Sequence, residues 1–309
     1  MSTISSICVV LVVMFSTTVA LADDTSEQNL AALVELETMK QLATGFQFTE
    51  GPLWNPDGFL IFSDIPANKI MKWTPPDKVD TFRDPSGNSN GMTFDLQGKL
   101  IVCEHGNRRV SRTERDGNVT TVVDRYQGKR LNSPNDVVVR SDGSIYFTDP
   151  PYGVEDDERE LDFQGVYRVA PDGTLSLLAD DFDRPNGLAF SPDEKVLYIA
   201  DSSRRRHLRA FDVEPDGSLK NGRVFIAMSG PGRGGPDGMK VDQEGNVYSP
   251  GPGGMWVIDK TGVHLGTIPV KEVPANCAFG ETDLKTLYMT ARTSLYSVRV
   301  KVPGVKTRK

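Results

Sequence analysis

Six short stretches each place an acidic or amide side chain just ahead of an apolar run. They are Glu50-Gly51-Pro52-Leu53-Trp54, Ser89-Asn90-Gly91-Met92-Thr93-Phe94, Ser133-Pro134-Asn135-Asp136-Val137-Val138, Arg184-Pro185-Asn186-Gly187-Leu188-Ala189-Phe190, Gly235-Pro236-Asp237-Gly238-Met239-Lys240-Val241 and Val273-Pro274-Ala275-Asn276-Cys277-Ala278-Phe279. A single Asn or Asp in such a place usually closes a turn on its own backbone. Six in register imply more. If they converge, Glu50, Asp237 and two or more Asn carbonyl oxygens make an all-oxygen donor set with two formal negative charges. That set suits a hard dication, Ca2+ or Mg2+. Neither His nor Cys holds any of the six positions, which disfavours zinc. The expectation is that four of the six hold one ion, with Asn90 and Asn276 as candidates for simple turn closure.

Convergence demands an architecture that returns each stretch to a common axis. The repeats recur every 40 to 50 residues or so, the spacing of propellers and solenoid arrays. Within each unit a second β-rich run follows: Phe59-Leu60-Ile61-Phe62, Leu100-Ile101-Val102-Cys103, Ile145-Tyr146-Phe147-Thr148, Val196-Leu197-Tyr198-Ile199, Asn246-Val247-Tyr248-Ser249 and Thr286-Leu287-Tyr288-Met289. Asp-Gly turns at 57–58, 116–117, 142–143, 172–173 and 216–217 separate many of the runs. Short strands bounded by such turns predict four antiparallel strands per unit. Six such sheets arranged radially form an all-β six-bladed propeller. The last unit is short of a fourth strand, and the segment from Leu42 to Phe48 is expected to supply it and close the ring. Because strands alternate in direction, the loops entering first strands and those joining second to third strands share one face. Glu50, Asn90, Asn135, Asn186, Asp237 and Asn276 then ring the axis on that face, beside the ends of second strands: Asp64, Glu104-His105, Asp149 and Asp201.

Composition narrows the class. The 309-residue chain has a net charge of −7 and a pI near 5.2, which argues against a nucleic-acid surface or binding to anionic membranes. Residues 1–22 carry an apolar core and end in Ala20-Leu21-Ala22, so they read as a cleaved export signal, leaving 23–309 as one propeller domain and placing it in the periplasm or outside the cell. Cys103 and Cys277 sit in no paired spacing and are expected to be buried free thiols.

Glu50-Gly51-Pro52-Leu53-Trp54, Leu131-Asn132-Ser133-Pro134-Asn135-Asp136, Tyr146-Phe147-Thr148-Asp149-Pro150-Pro151-Tyr152-Gly153, Arg184-Pro185-Asn186-Gly187 and Gly235-Pro236-Asp237-Gly238 together resemble the gluconolactonase/regucalcin (senescence marker protein) family. The resemblance runs from about Phe48 to the sixth unit. It implies one divalent ion, Ca2+ first, with Mg2+, Mn2+ or Zn2+ as substitutes in vitro. It places the ligands on Glu50, Asn135, Asn186 and Asp237. It implies hydrolysis of a small sugar lactone, with Asp237 as the acid/base that activates water. Regucalcin-type members carry an Arg two residues before the position of Asn135, where this chain has Ser133, so the animal branch's substrate preference does not transfer.

Four further residues are candidate substrate contacts: His105 and Asp149 by their place at second-strand ends, Asn132 as a substitute contact, and Asp136 as an orienting partner of Asn135. The acidic run Glu155–Glu160 is expected in a long loop on the same face, with Arg108-Arg109 and Arg204-Arg205-Arg206 as its default ion-pair partners. Two other functions fit the same motifs: a phosphotriesterase or aryl-ester hydrolase on the same ion, and a non-catalytic propeller with a structural ion. The sequence leaves the oligomeric state open.

Overall fold

The computed structural model describes residues 28–306, so the expected export signal lies outside the described residues. Six four-stranded antiparallel sheets stand around one axis as blades. Their innermost strands are Thr49–Asn55, Ser89–Phe94, Val137–Val139, Pro185–Phe190, Lys240–Val241 and Pro274–Gly280. Each inner strand hydrogen-bonds outward to a second strand, Phe59–Asp64 in blade one and Ile145–Asp149 in blade three, for example.

Burial explains why the sequence showed these strands so plainly. A blade's inner and second strands are covered on both faces by neighbouring blades, so they read as near-continuous apolar runs. Pro274–Gly280 and Thr286–Ala291 are buried throughout, whereas the outermost Lys78–Arg83 and Leu219–Ala227 are largely exposed. The core is accordingly split into clusters between adjacent blades. Tyr146, Leu188 and Leu197 join blades three and four. Trp54 of blade one stacks on Tyr288 of blade six at 5.4 Å between ring centroids. Such aromatic contacts add to the area they bury.

The ring is closed by an N-terminal strand as expected, though with its span shifted toward the N-terminus. The closing strand is Val34–Thr44, which shares residues 42–44 with the expected run from Leu42 to Phe48, and it pairs antiparallel with Ser294–Val300 as the outermost strand of blade six. Its mix of exposed and half-buried residues gives no strong two-residue period, so its span is set by pairing rather than by hydrophobicity. Cys103 and Cys277 are free and buried, matching the expectation.

Candidate active site

The six repeated polar residues sit at one mouth of the axis, and backbone irregularity aims them there. In blades one, two, four and six the first-to-second strand register slips at the polar residue: between Glu50 and Leu53, Ser89 and Met92, Pro185 and Leu188, and Pro274 and Asn276. A bulge of this kind re-aims one side chain out of the regular alternation. In blades three and five the ladder starts only after Asn135 and Asp237. Hydroxyls from second strands then hold the ring carbonyls: Ser63 Oγ donates to Asn90 O at 2.9 Å, and Thr148 Oγ1 to Asn186 O at 2.8 Å.

Glycine lets the ring close tightly. A Cβ on Gly187 would lie 2.3 Å from the carbonyl oxygen of Asp237, and one on Gly238 would lie 1.9 Å from Cγ of Asn276. The glycine after one ring residue is thus the seat of the next blade's ring residue.

Glu50, Asn135 and Asn186 are 3 %, 3 % and 5 % exposed, while Asp237 is only half-buried and meets the mouth. Glu50 Oε2 accepts from Gly51 N at 2.6 Å and from Asn276 Nδ2 at 2.9 Å. Asp237 accepts from Gly238 N and the Asn186 amide. Even so, burial pushes the carboxyls of both Glu50 and Asp237 upward, and for Asp237 the charges of Glu50 and Asp136 push further. Asp136 lies in the same space, raised by burial, with Oδ2 unpartnered among the described residues. Asn276 is therefore more than a turn closer. Its Oδ1 accepts from Cys277 N, and its amide also reaches Asp136.

Among the described residues no three His, Cys, Asp or Glu side chains converge as a ligand set. The ring instead offers two carboxylates and amide oxygens. Buried acids that repel one another, beside an orphaned carboxylate oxygen, are the environment an oxygen-seeking dication would neutralise. The donor set fits such an ion.

The other candidates take different places. Asp149 is fully buried, and its carboxylate accepts from Asn132 N at 2.8 Å and Ser133 N at 2.7 Å. Asp64 holds Gln47 N and Phe48 N in blade one, and Asp201 holds Asp183 N and Arg184 N in blade four. These second-strand carboxylates are clamps on the loops that deliver the ring residues. Burial raises the Asp149 carboxyl to about 7; its two amide donors pull the other way. Asn132, also fully buried, donates its Nδ2 to Asp149 O and Phe163 O, while its Oδ1 has no hydrogen-bond partner among the described residues. His105 is 7 % exposed with Nε2 3.3 Å from Asn90 Nδ2, and burial lowers its pKa to about 4, leaving a neutral ring behind the mouth. Of the five arginines expected to pair with the acidic loop, Arg108 reaches it among the described residues, through the Glu158 carbonyl at 3.1 Å. Arg109 pairs with Glu104, Arg205 with Asp201, and Arg206 donates to Gly234 O.

Tyr152 is a site neighbour that sequence reasoning assigned no role. Its phenol bonds with Ser202 and Asn186 and lies in the field of Asp237. Arg184 covers its ring at 5.6 Å. Gly153 N donates to Ser133 Oγ at 2.9 Å, seating this turn against the ring. The signal was present in the Pro150-Pro151-Tyr152-Gly153 motif, but nothing local showed which way the ring turned.

Fold and site together define a six-bladed propeller with a buried acid–amide ring at one mouth of its axis. The chain belongs to the SMP-30/gluconolactonase/LRE-like family, whose model matches residues 48–293. It is 38% identical over 306 residues to a gluconolactonase of Zymomonas mobilis, covering 89% of this chain and 85% of that one. A pentonolactonase of Haloferax volcanii is 28% identical, covering 80% and 82%. The solved structure of a gluconolactonase from Xanthomonas campestris superposes with a TM-score of 0.81 at 37% identity, over 88% of this chain and 92% of that one.

Proposed function

We propose that this chain hydrolyses a sugar lactone of the gluconolactone type to the open acid, using one divalent cation held by Glu50, Asn135, Asn186 and Asp237. The observation that carries the cation is the pairing of buried Glu50 with half-buried Asp237 across a ring of amide side chains, both carboxyls displaced upward by burial. Relatives that share most of this chain's length are named as lactonases, which supports the substrate class.

When bound, the cation polarises the lactone carbonyl and lowers the pKa of water, with Ca2+ the first choice for an all-oxygen set. Glu50, Asn135 and Asn186 are buried and act as fixed donors. Asp237 is the ring carboxylate that reaches the mouth, so it is the group placed to take a proton from water as oxygen adds to the carbonyl carbon. The ring C–O bond then breaks, and that proton passes to the departing sugar hydroxyl. The Asn186 amide, bonded to Asp237, keeps one of its oxygens oriented for this exchange. Tyr152, beside Asn186, forms a wall for the sugar.

The test is a substrate panel of D-glucono-δ-lactone, a pentonolactone, an aryl ester and a phosphotriester. Each is assayed with chelator and with added Ca2+, Mg2+, Mn2+ or Zn2+. Lactone turnover restored by cation and lost in Asp237→Asn is expected. Lactone hydrolysis that survives both full metal removal and Asp237→Asn overturns the mechanism. Turnover of the phosphotriester alone selects the other hydrolase reading.

A further inference from the structure

Below the ring the inner strands wall the axis mostly with apolar side chains. A cavity of about 140 Å3 is walled by Leu53, Met92, Val138, Ala189 and Phe279, and Lys240 is the one ionisable side chain an inner strand adds to that wall among the described residues. Glu194 and Lys306 reach it from a turn and from the C-terminal segment instead. Lys240 is half-buried, and its Nζ donates to Met239 O at 3.0 Å.

Three carboxyls act on one another at the ring: Glu50 and Asp136, 3 % and 2 % exposed, and the half-buried Asp237. Oδ2 of Asp136 is buried without a hydrogen-bond partner among the described residues. Uncompensated charge in so dry a space is strongly unfavourable. A dication balances two of the three charges. We propose that Lys240 is a positioning residue that supplies the third positive charge from below the ring, so that the site is neutral with a divalent rather than a trivalent ion. This rests on the cation reading above.

Lys240 heads the inner strand Lys240–Val241, three residues after Asp237 on the same blade, and its charge is felt at Glu50 and Asp136. Placing the charge beneath the ring leaves the mouth clear for ion and lactone. Removing it leaves one extra negative charge, and the resulting gain for a bound ion grows with that ion's own charge.

Terbium luminescence and competition with Ca2+ measure this directly, because the two ions are of similar size and differ in charge. In Lys240→Met the preference for Tb3+ over Ca2+ should rise by roughly tenfold over wild type. Lys240→Arg, and Lys306→Met on the C-terminal segment, should keep the wild-type ratio. If Lys240→Met does not fold, Lys240→Gln removes the charge while keeping a donor for the Met239 carbonyl, and is read the same way. An unchanged ratio in the neutral variant overturns this inference alone. Failure of the wild type to bind either ion overturns the cation reading and this inference with it.

Discussion

Asn276 of blade six donates its side-chain amide to Glu50 Oε2 of blade one at 2.9 Å, across 226 positions of sequence. The bond spans the two blades that the Val34–Thr44 strand locks together. Closing the propeller and shaping the site are therefore one event.

Asn276→Ala tests that link. It leaves Glu50 buried with one donor fewer, an expected cost of about 1–3 kcal/mol. Thermal melts should show the loss, and calcium titration should show weaker binding. A variant that melts like wild type and binds Ca2+ equally well would mean the bond is incidental.

Cation stabilisation should depend on pH with a definite sign. Burial raises Glu50 from 4.5 to about 7, and Asp237 moves in the same direction. The cation-free folded state thus holds protons that the unfolded chain has released, and its stability falls as pH rises from about 4.5 toward 7. A bound ion replaces those protons, so added Ca2+ should raise the melting temperature more at pH 8 than at pH 5. At a hundredfold excess over Kd the gain is about 2.7 kcal/mol. Equal shifts at both pH values contradict the assignment.

His105 should act in the opposite sense. Its folded pKa is lowered from 6.5 to about 4, so the unfolded chain takes up a proton first as pH falls. The resulting loss of stability begins near 6.5 and continues toward 4, reaching up to roughly 3 kcal/mol. Measured as the difference between wild type and His105→Gln, this acid-limb loss should disappear in the variant. A difference that is flat with pH would place His105 in contact with solvent.

Gly187→Ala should damage the site from a position that binds nothing. Its Cβ would press on the Asp237 carbonyl, an overpacking expected to cost about 1–3 kcal/mol and to shift Asp237. Gly235→Ala is the control, because there the added carbon meets only the far end of the Arg206 side chain at 3.5 Å. Denaturant melts and lactonase assays should separate the two variants. If they behave alike, the close approach of neighbouring ring residues is not needed.

The blades were legible because their inner strands are buried on both faces and so appear as apolar runs with a polar residue at each head. The closing strand was shifted in expectation because a half-exposed outer strand carries little pattern, and its register follows from pairing with Ser294–Val300. Asp149 and Asn132 illustrate a second limit. A carboxylate at a second-strand end has the same local sequence whether it faces a ligand or, as here, clamps two backbone amides. Tyr152 and Lys240 lay within quoted motifs, yet their orientation depends on blades distant in sequence.

By itself, the sequence determined the number of blades and the six repeated polar residues that meet at one mouth of the axis. Those follow from local period, turn chemistry and strand alternation, which every repeat carries within itself. Only the tertiary structure decided which oxygens are buried, which carboxylate meets the mouth and which cation stands below. Burial and electrostatic coupling are sums over neighbouring blades, and no single repeat contains them.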